Sequence, residues 1–458
     1  MVHSKKPFGS YDEAFAYIQK HTNYERMRAS SVPKRRDAFD LARVRRVLDA
    51  LGKPDARYPI LHVAGTKGKG SVCAMVAAVL KQQGLRVGLF TKPHLLDLRE
   101  RIAVDGVLIS PEAFVEGMNA LHPHLEEQRR RSNPLTFFDL IVVLALWHFA
   151  REGADVAVLE TGLGGRLDST NVVQPAACAI TSIDYDHTHI LGDTLEQIAA
   201  EKAGILKPGV PAVSGVVEPG PARVIEARAR ELDAACFRLG REFRLIDPKD
   251  GGPFAVETWR RRYAGLSVPL LGAHQRTNAA VAVAALEAFA EATGQPLGEG
   301  DVREGLKSVR LRGRVEVLSR VPGIVLDVAH NPSSLRALRQ ALLEGFPDRR
   351  VVLLFALSDD KDAPGCLREI LAVASHVVFT TTGQPRSHDP HELQGLAQGL
   401  RPEVPCEVEP EIPRAWERAL SRVGAGDLLC VTGSFYLAGE VAALWEERRA
   451  QASARRSP

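Results

Sequence analysis

The sequence predicts an α/β protein of two units, each a mostly parallel sheet covered by helices. Three observations predict it. Short apolar runs alternate with segments of helical spacing over residues 59–183, and the same alternation resumes near Arg314. A charged stretch, Val302–Arg314, separates the two series. At 458 residues the chain is too long for one hydrophobic core and suggests about two to four domains. The expected division is 1–308, a smaller unit at 309–446, and a flexible tail at 447–458, rich in Arg, Ala and Ser.

The elements follow in order. Residues 11–58 read as Arg-rich helices and loops. Pro59–Ala64 is an apolar strand that runs straight into a Gly-rich loop. A helix follows from about Gly70 to Gln83, and Gly84 stops it. Leu85–Thr91 reads as a second strand, Phe137–Arg151 as a helix, and Asp155–Glu160 and Ala177–Ile183 as further strands. In the second series Ile324–Val328, Val351–Ala356, His376–Thr381 and Asp427–Thr432 read as buried strands. Helices such as Ser333–Leu343 lie between them.

Composition narrows the function. Lys+Arg number 59 against 56 Asp+Glu, so the charge is nearly balanced and offers no general attraction to nucleic acid or membranes. An anionic ligand must then be held by local groups. Cys73, Cys178, Cys236, Cys366, Cys406 and Cys430 form no C-x-x-C pair. Free thiols in a reducing compartment fit better than a zinc site or disulfide framework. No apolar signal segment follows the N-terminus, and the longest apolar stretch, Leu140–Ala150, is too short to span a bilayer. A cytoplasmic monomer acting on small molecules is expected.

The Gly-rich loop, His62-Val-Ala-Gly65-Thr66-Lys67-Gly68-Lys69-Gly70-Ser71, is the first chemical signal. A strand ending in glycines that open a helix aims backbone N–H groups at an anion. Lys69 can reach phosphate, and Ser71 can bind phosphate or meet a metal. The spacing departs from G-x-x-x-x-G-K-[ST], so a tight turn with exposed lysines is the competing reading; the flanking strand and helix favour nucleotide. Glu160 and the Asp184-Tyr-Asp-His187 stretch follow neighbouring strands, where α/β sheets bind ligands. Glu160 is placed to hold Mg²⁺ or to cap a helix. By itself His187 reads as a satisfied core histidine, and Lys202 as a surface lysine on a helix.

Further motifs lie along the chain: Thr91-Lys92-Pro93-His94-Leu95, Arg99-Glu100-Arg101-Ile102, Leu135–Phe138, Glu160–Asn171, Asp186-His187-Thr188, Leu191–Thr194, Glu201–Gly204, His274–Asn278, Asp327–Pro332 and Gly433–Tyr436. Together with the loop, this ordered set closely resembles folylpolyglutamate synthase and the bifunctional dihydrofolate synthase, of the Mur ligase superfamily. The resemblance implies an N-terminal P-loop ATPase domain of Mur-ligase type and a Rossmann-like C-terminal α/β domain. It implies a ligase of folate biosynthesis and one-carbon metabolism. Such enzymes use ATP to phosphorylate a substrate carboxylate, and the amine of L-glutamate then attacks the acyl phosphate. The acceptor would be dihydropteroate, a reduced folate, or both.

Site residues follow from the same resemblance. Gly65, Thr66, Lys67, Gly68, Lys69, Gly70 and Ser71 would hold the nucleotide with Asn278, Arg314 and Asp327. Two Mg²⁺ ions are implied: Glu160 and His187 would bind one, and Lys202, as a carbamate, would serve the second. Lys69, Lys202 and His330 would be catalytic. The pterin pocket would involve Thr136, Phe137, Phe138, Asp139, Leu167, Asp168 and Ser169, with a weaker match at Phe39–Leu41. Two residues depart from the pattern. Lys67 replaces an asparagine common in bacterial members. Lys92 stands where a metal-binding serine is usual, and a protonated lysine has no lone pair for Mg²⁺. Two other readings stay open: a Mur-type ligase with a different acceptor, and a nucleotide-binding protein without ligase activity.

Overall fold

The computed structural model describes residues 6–26, 40–248 and 252–454. It divides into two compact units. One comprises Met1–His94, Arg99–Pro269 and Arg276–Val309; the other comprises Leu95–Leu98, Leu270–Gln275 and Arg310–Pro458.

The first unit is built on an eight-stranded sheet. Its strands are β1 (Ile60–Ala64), β2 (Val87–Phe90), β3 (Ile102–Val104), β4 (Val107–Leu108), β5 (Val156–Glu160), β6 (Ala177–Ile180), β7 (Ala212–Ser214) and β8 (Cys236–Arg238). They lie in the order β4-β3-β2-β5-β1-β6-β7-β8. All pairings from β2 to β8 are parallel, and the short hairpin β3–β4 adds an antiparallel edge. β1 lies between β5 and β6, so the loops leaving these strands meet at the carboxyl edge, where such sheets bind ligands. The helix Phe137–Arg151 packs against this sheet and has the limits its apolar pattern predicts. A three-stranded antiparallel sheet, β9 (Arg244–Ile246), β10 (Phe254–Glu257) and β11 (Arg262–Leu266), was not anticipated. Buried Glu287 ties it to the helix His274–Thr293 by accepting from Tyr263 Oη at 2.6 Å and Thr258 Oγ1 at 3.2 Å.

The second unit carries β12 (Glu316–Arg320), β13 (Gly323–Leu326), β14 (Val351–Phe355), β15 (Ala374–Phe379), β16 (Cys406–Val408) and β17 (Leu428–Thr432), in the order β12-β13-β17-β14-β15-β16. Only the β12–β13 pairing is antiparallel. Alternate residues of one strand enter two separate cores: Leu353 and Phe355 one, Val352 and Leu354 the other. Burial on both faces is why these strands read as continuous apolar runs.

The segment expected to be a flexible tail from 447 is helical as far as Ala454, within Phe435–Ala454. Ala, Glu, Gln and Arg dominate its end, and all are strong helix formers. Val302–Arg314, read as a charged connector, is helical in its first half, within Glu299–Ser308. The cysteines are all free, and four are buried. No helix among the described residues is long and apolar enough to cross a membrane.

Candidate active site

The Gly-rich loop spans the gap between β1 and the helix Lys69–Gln82. The residues after β6 brace it. Thr66 N–H donates to Ser182 O at 2.8 Å, Lys67 N–H to Ser182 Oγ at 3.1 Å, and Thr181 Oγ1 to Lys67 O at 2.5 Å. Two glycines are obligatory here. At Gly65 (φ 148) a Cβ would overlap Thr181 Oγ1, and at Gly68 (φ 82) it would overlap the Asn278 side-chain oxygen. Asn278, predicted as a nucleotide contact, therefore lies against the loop. Ser71 is buried in the first turn of the helix.

Two lysines converge on one carbonyl. Lys69 Nζ donates to Gly65 O at 3.0 Å and Thr66 O at 3.1 Å, and Lys202 Nζ reaches Gly65 O at 2.9 Å. Lys202 is 4% exposed, not the surface lysine its helix suggests. Burial, then the charge of Lys69, pulls its ammonium down to about 7. Lys67 turns elsewhere and pairs with Asp184 at 2.7 Å.

Glu160, at the end of β5, is buried against the loop. Its Oε2 lies 3.4 Å from where a Cβ on Gly70 would stand, and it accepts the Lys92 backbone N–H at 3.0 Å. Its hard oxygens suit magnesium. His187 sits at a left-handed position (φ 49) with a side chain 45% exposed, so it is not a core histidine. No three His, Cys, Asp or Glu side chains gather into a metal cage among the described residues. Lys202 as an amine adds no oxygen to such a set.

The two segments predicted for the acceptor meet. Ser169 Oγ donates to Asp139 Oδ1 at 2.5 Å. Thr136 and Asp139 form the capping box that starts the helix Phe137–Arg151. Phe137 is buried, with the Arg101 guanidinium 5.8 Å from its ring centre. Phe138 is half-buried, 5.9 Å from Phe90 between ring centres. Leu167 is half-buried and leads into Asp168, whose carboxyl is pushed up by burial. Phe39 of the weaker match lies outside the described residues.

Arg314, Asp327 and His330 belong to the second unit and gather at the end of β13. Asp327 is buried and accepts Ala329 N–H at 2.7 Å and Val315 N–H at 2.9 Å. Burial raises its carboxyl, and Arg314 opposes the rise. The Arg314 guanidinium lies 5.5 Å from the Phe435 ring centre, as does the His330 ring. His330 Nδ1 is 2.9 Å from Val328 O, so it carries a proton and donates it to that carbonyl.

Sequence reasoning missed several supporting residues. Arg43, 6% exposed, is paired to Asp139 at 2.7 Å. Its signal was an arginine in the apolar stripe it shares with Val44, Val47 and Leu48. Arg101, quoted in a motif but given no role there, is 2% exposed and grips Glu25 at 2.7 Å and His94 Nδ1 at 3.0 Å. Thr181 and Ser182 carried no signal, because a strand-end hydroxyl becomes a loop brace only through tertiary contact.

Two family models match. The Mur ligase middle domain covers residues 63–286, and the Mur ligase glutamate ligase domain covers 313–435. The dihydrofolate synthase/folylpolyglutamate synthase of Bacillus subtilis is 33% identical over 411 residues, 88% of this chain and 94% of the relative. The folylpolyglutamate synthase of Lacticaseibacillus casei is 33% identical over 94% of this chain and 98% of its own. The chain belongs to the folylpolyglutamate synthase family. It is thus a ligase of the Mur type. The folylpolyglutamate synthase of Mycobacterium tuberculosis complexed with ADP superposes with a TM-score of 0.85 at 32% identity, over 95% of this chain and 98% of that one. Escherichia coli FolC in complex with DHPP and ADP gives 0.83 at 29% identity, over 97% and 100%.

Proposed function

We propose that this protein is an ATP-dependent amide ligase adding L-glutamate to dihydropteroate, to reduced folates, or to both. The observation that carries the reading is the convergence of Lys69 and Lys202 on the Gly65 carbonyl beside Glu160. The Lys69 ammonium on the loop carbonyls makes a site that gains from an incoming polyanion, while Lys202, pulled down to about 7 beside it, is left open to modification. The helix N-terminus adds to that attraction. The Mycobacterium tuberculosis and Escherichia coli relatives are complexed with ADP, which supports nucleotide use by this chain.

The reaction has two steps. An acceptor carboxylate oxygen attacks the γ-phosphorus of ATP, and the bond to the ADP oxygen breaks. The glutamate nitrogen then attacks the acyl carbon, phosphate leaves, and the nitrogen loses a proton. Lys69 and the loop N–H groups stabilise charge on the transferring phosphoryl oxygens. Arg314 contributes a phosphate contact, and Asn278 and Asp327 contact the nucleotide. His330, whose Nδ1 donates to Val328 O, accepts the proton of the amine. Thr136–Asp139 and Leu167–Ser169 form the acceptor pocket.

Mg²⁺ would supply charge neutralisation; Glu160 and His187 would hold one ion, and the Lys202 carbamate would serve another. The lowered Lys202 favours the modification, because only the neutral amine attacks CO₂ and then sheds a proton to leave a carboxylate-like group. Lys92 secures Glu160 through its backbone, which a serine would do equally well. Either water or Thr91 then fills the place of the serine hydroxyl, or the Lys92 ammonium contacts phosphate instead. The test is ATP-dependent transfer of labelled glutamate to dihydropteroate and to tetrahydrofolate in turn. Amide product with either supports the proposal; ATP binding without amide product on either refutes it.

A further inference from the structure

His62 is fully buried on β1, two residues from the loop's first turn, and its use is not explained by the reaction above. Its Nε2 lies 2.9 Å from Thr170 Oγ1, while Nδ1 has no hydrogen-bond partner among the described residues. Thr170 Oγ1 in turn donates to Asp168 Oδ1 at 2.5 Å, and Thr170 N–H donates to the same oxygen at 3.0 Å. Asp168 Oδ2 accepts Leu163 N–H at 2.7 Å and lies 3.0 Å from where a Cβ on Gly162 would stand, a point also crowded by Phe138.

With Asp168 ionised, this chain has one consistent proton assignment. Thr170 has a single hydroxyl proton, and the carboxylate takes it. Oγ1 can then only accept from His62, so Nε2 must carry the imidazole proton and Nδ1 must be bare. A bare Nδ1 in a dry site costs hydrogen-bonding energy. A leucine or valine at position 62 would fill β1 without that cost, so the imidazole is kept for what Nε2 does. Burial, with the charge of Lys207 second, pushes the ring down to about 3, so it stays a neutral, one-way donor.

We infer that His62 is a positioning residue: through Thr170 it fixes the rotamer of the Asp168 carboxylate and so sets the edge offered to the acceptor. The carboxylate edge beside Phe138 suits a flat heterocycle carrying adjacent N–H donors, stacked on the phenyl ring and hydrogen-bonded in its own plane. The inference rests on the proposed placement of the acceptor at Asp168. It adds that acceptor affinity depends on a strand residue buried beneath the pocket.

The test compares His62→Leu, His62→Gln and Thr170→Val in the full chain, with steady-state kinetics for acceptor and ATP separately. His62→Leu should raise the acceptor KM about tenfold, the upper end of the loss expected for one hydrogen bond between neutral groups, with the ATP KM within about twofold of wild type. Gln places an amide N–H near the position of Nε2 and should recover most of the loss. Thr170→Val breaks the chain from its other end and should match His62→Leu, which keeps the test decisive if the leucine variant folds poorly. ¹⁵N NMR of histidine-labelled protein should give His62 the Nε2–H tautomer. An unchanged acceptor KM in both His62→Leu and Thr170→Val, equal rises in acceptor and ATP KM, or the Nδ1–H tautomer would each overturn the inference. Wild-type protein that makes no amide with any pterin acid would instead overturn the proposed function and leave these outcomes unread.

Discussion

Lys202 sits in the last turn of Leu195–Ala203, a helix that reads as an ordinary amphipathic segment. Its burial comes from elsewhere in the chain. The Gly164–Gly165 turn packs so tightly on this helix that a Cβ on Gly165 would lie 2.8 Å from the carbonyls of both Glu201 and Lys202. Helical periodicity carries no trace of that contact, which is why only family resemblance singled the residue out. Lys202→Ala should reduce turnover by about 10²–10³-fold while circular dichroism stays unchanged, and a short carboxylic acid in solution should restore part of the activity. Wild-type turnover in that variant would remove Lys202 from the mechanism. The amine is half neutral near pH 7, so stripping CO₂ should depress activity, and added bicarbonate should restore it faster at pH 8 than at pH 6. Linkage gives a second pH effect. The folded-state value lies below the ordinary 10.5, so the unfolded chain binds the extra proton between about 7 and 10.5. Unmodified protein should therefore gain stability from this group as pH rises through that window, measured by denaturant midpoint.

Elements differ in how openly the sequence declared them. Phe137–Arg151 was legible to its ends because its apolar run begins at a threonine with an aspartate three residues on. The strands β9–β11 were not. They are three to five residues long and unevenly buried, β9 not at all, and short mixed strands have no reliable period. The Gly-rich loop was legible as a loop, but which glycines are obligatory depends on partners more than 100 residues away. Gly65→Ala and Gly68→Ala should each raise the ATP KM at least about tenfold, because the backbone resists the change and Thr181 or Asn278 blocks the methyl. Gly84→Ala is the control. Its φ is 83 but nothing lies within 4 Å, so it should cost about 1 kcal/mol of stability and leave the ATP KM alone. A further prediction concerns the start of the Phe137–Arg151 helix. Arg43→Met strands the Asp139 carboxylate at 4% exposure and should cost about 3–5 kcal/mol, measured by chemical denaturation. A cost under about 1 kcal/mol would mean that Ser169 and the Thr136 N–H already satisfy that charge.

At the scale of the whole molecule, the alternation of strands and helices fixed the fold class, and the continuous apolar runs fixed parallel pairing. Strand order was beyond reach, because β1 neighbours β5 and β6 through crossovers that leave no local signature. The same gap hid the supporting residues: Thr181, Ser182 and Arg43 act only once distant elements are adjacent. The two units have separate cores, so thermal unfolding should depart from two-state behaviour, with a calorimetric enthalpy exceeding the van't Hoff value. Equal enthalpies would show that the units unfold as one. The central claim is that the loop, the paired lysines and Glu160 serve to activate a carboxylate. Its most direct test is turnover with an acceptor whose carboxylate carries ¹⁸O, followed by mass analysis of the phosphate released. Acyl-phosphate chemistry predicts one ¹⁸O in each phosphate, in step with amide formation. Phosphate free of the label, or ATP hydrolysed with no amide formed, would contradict it.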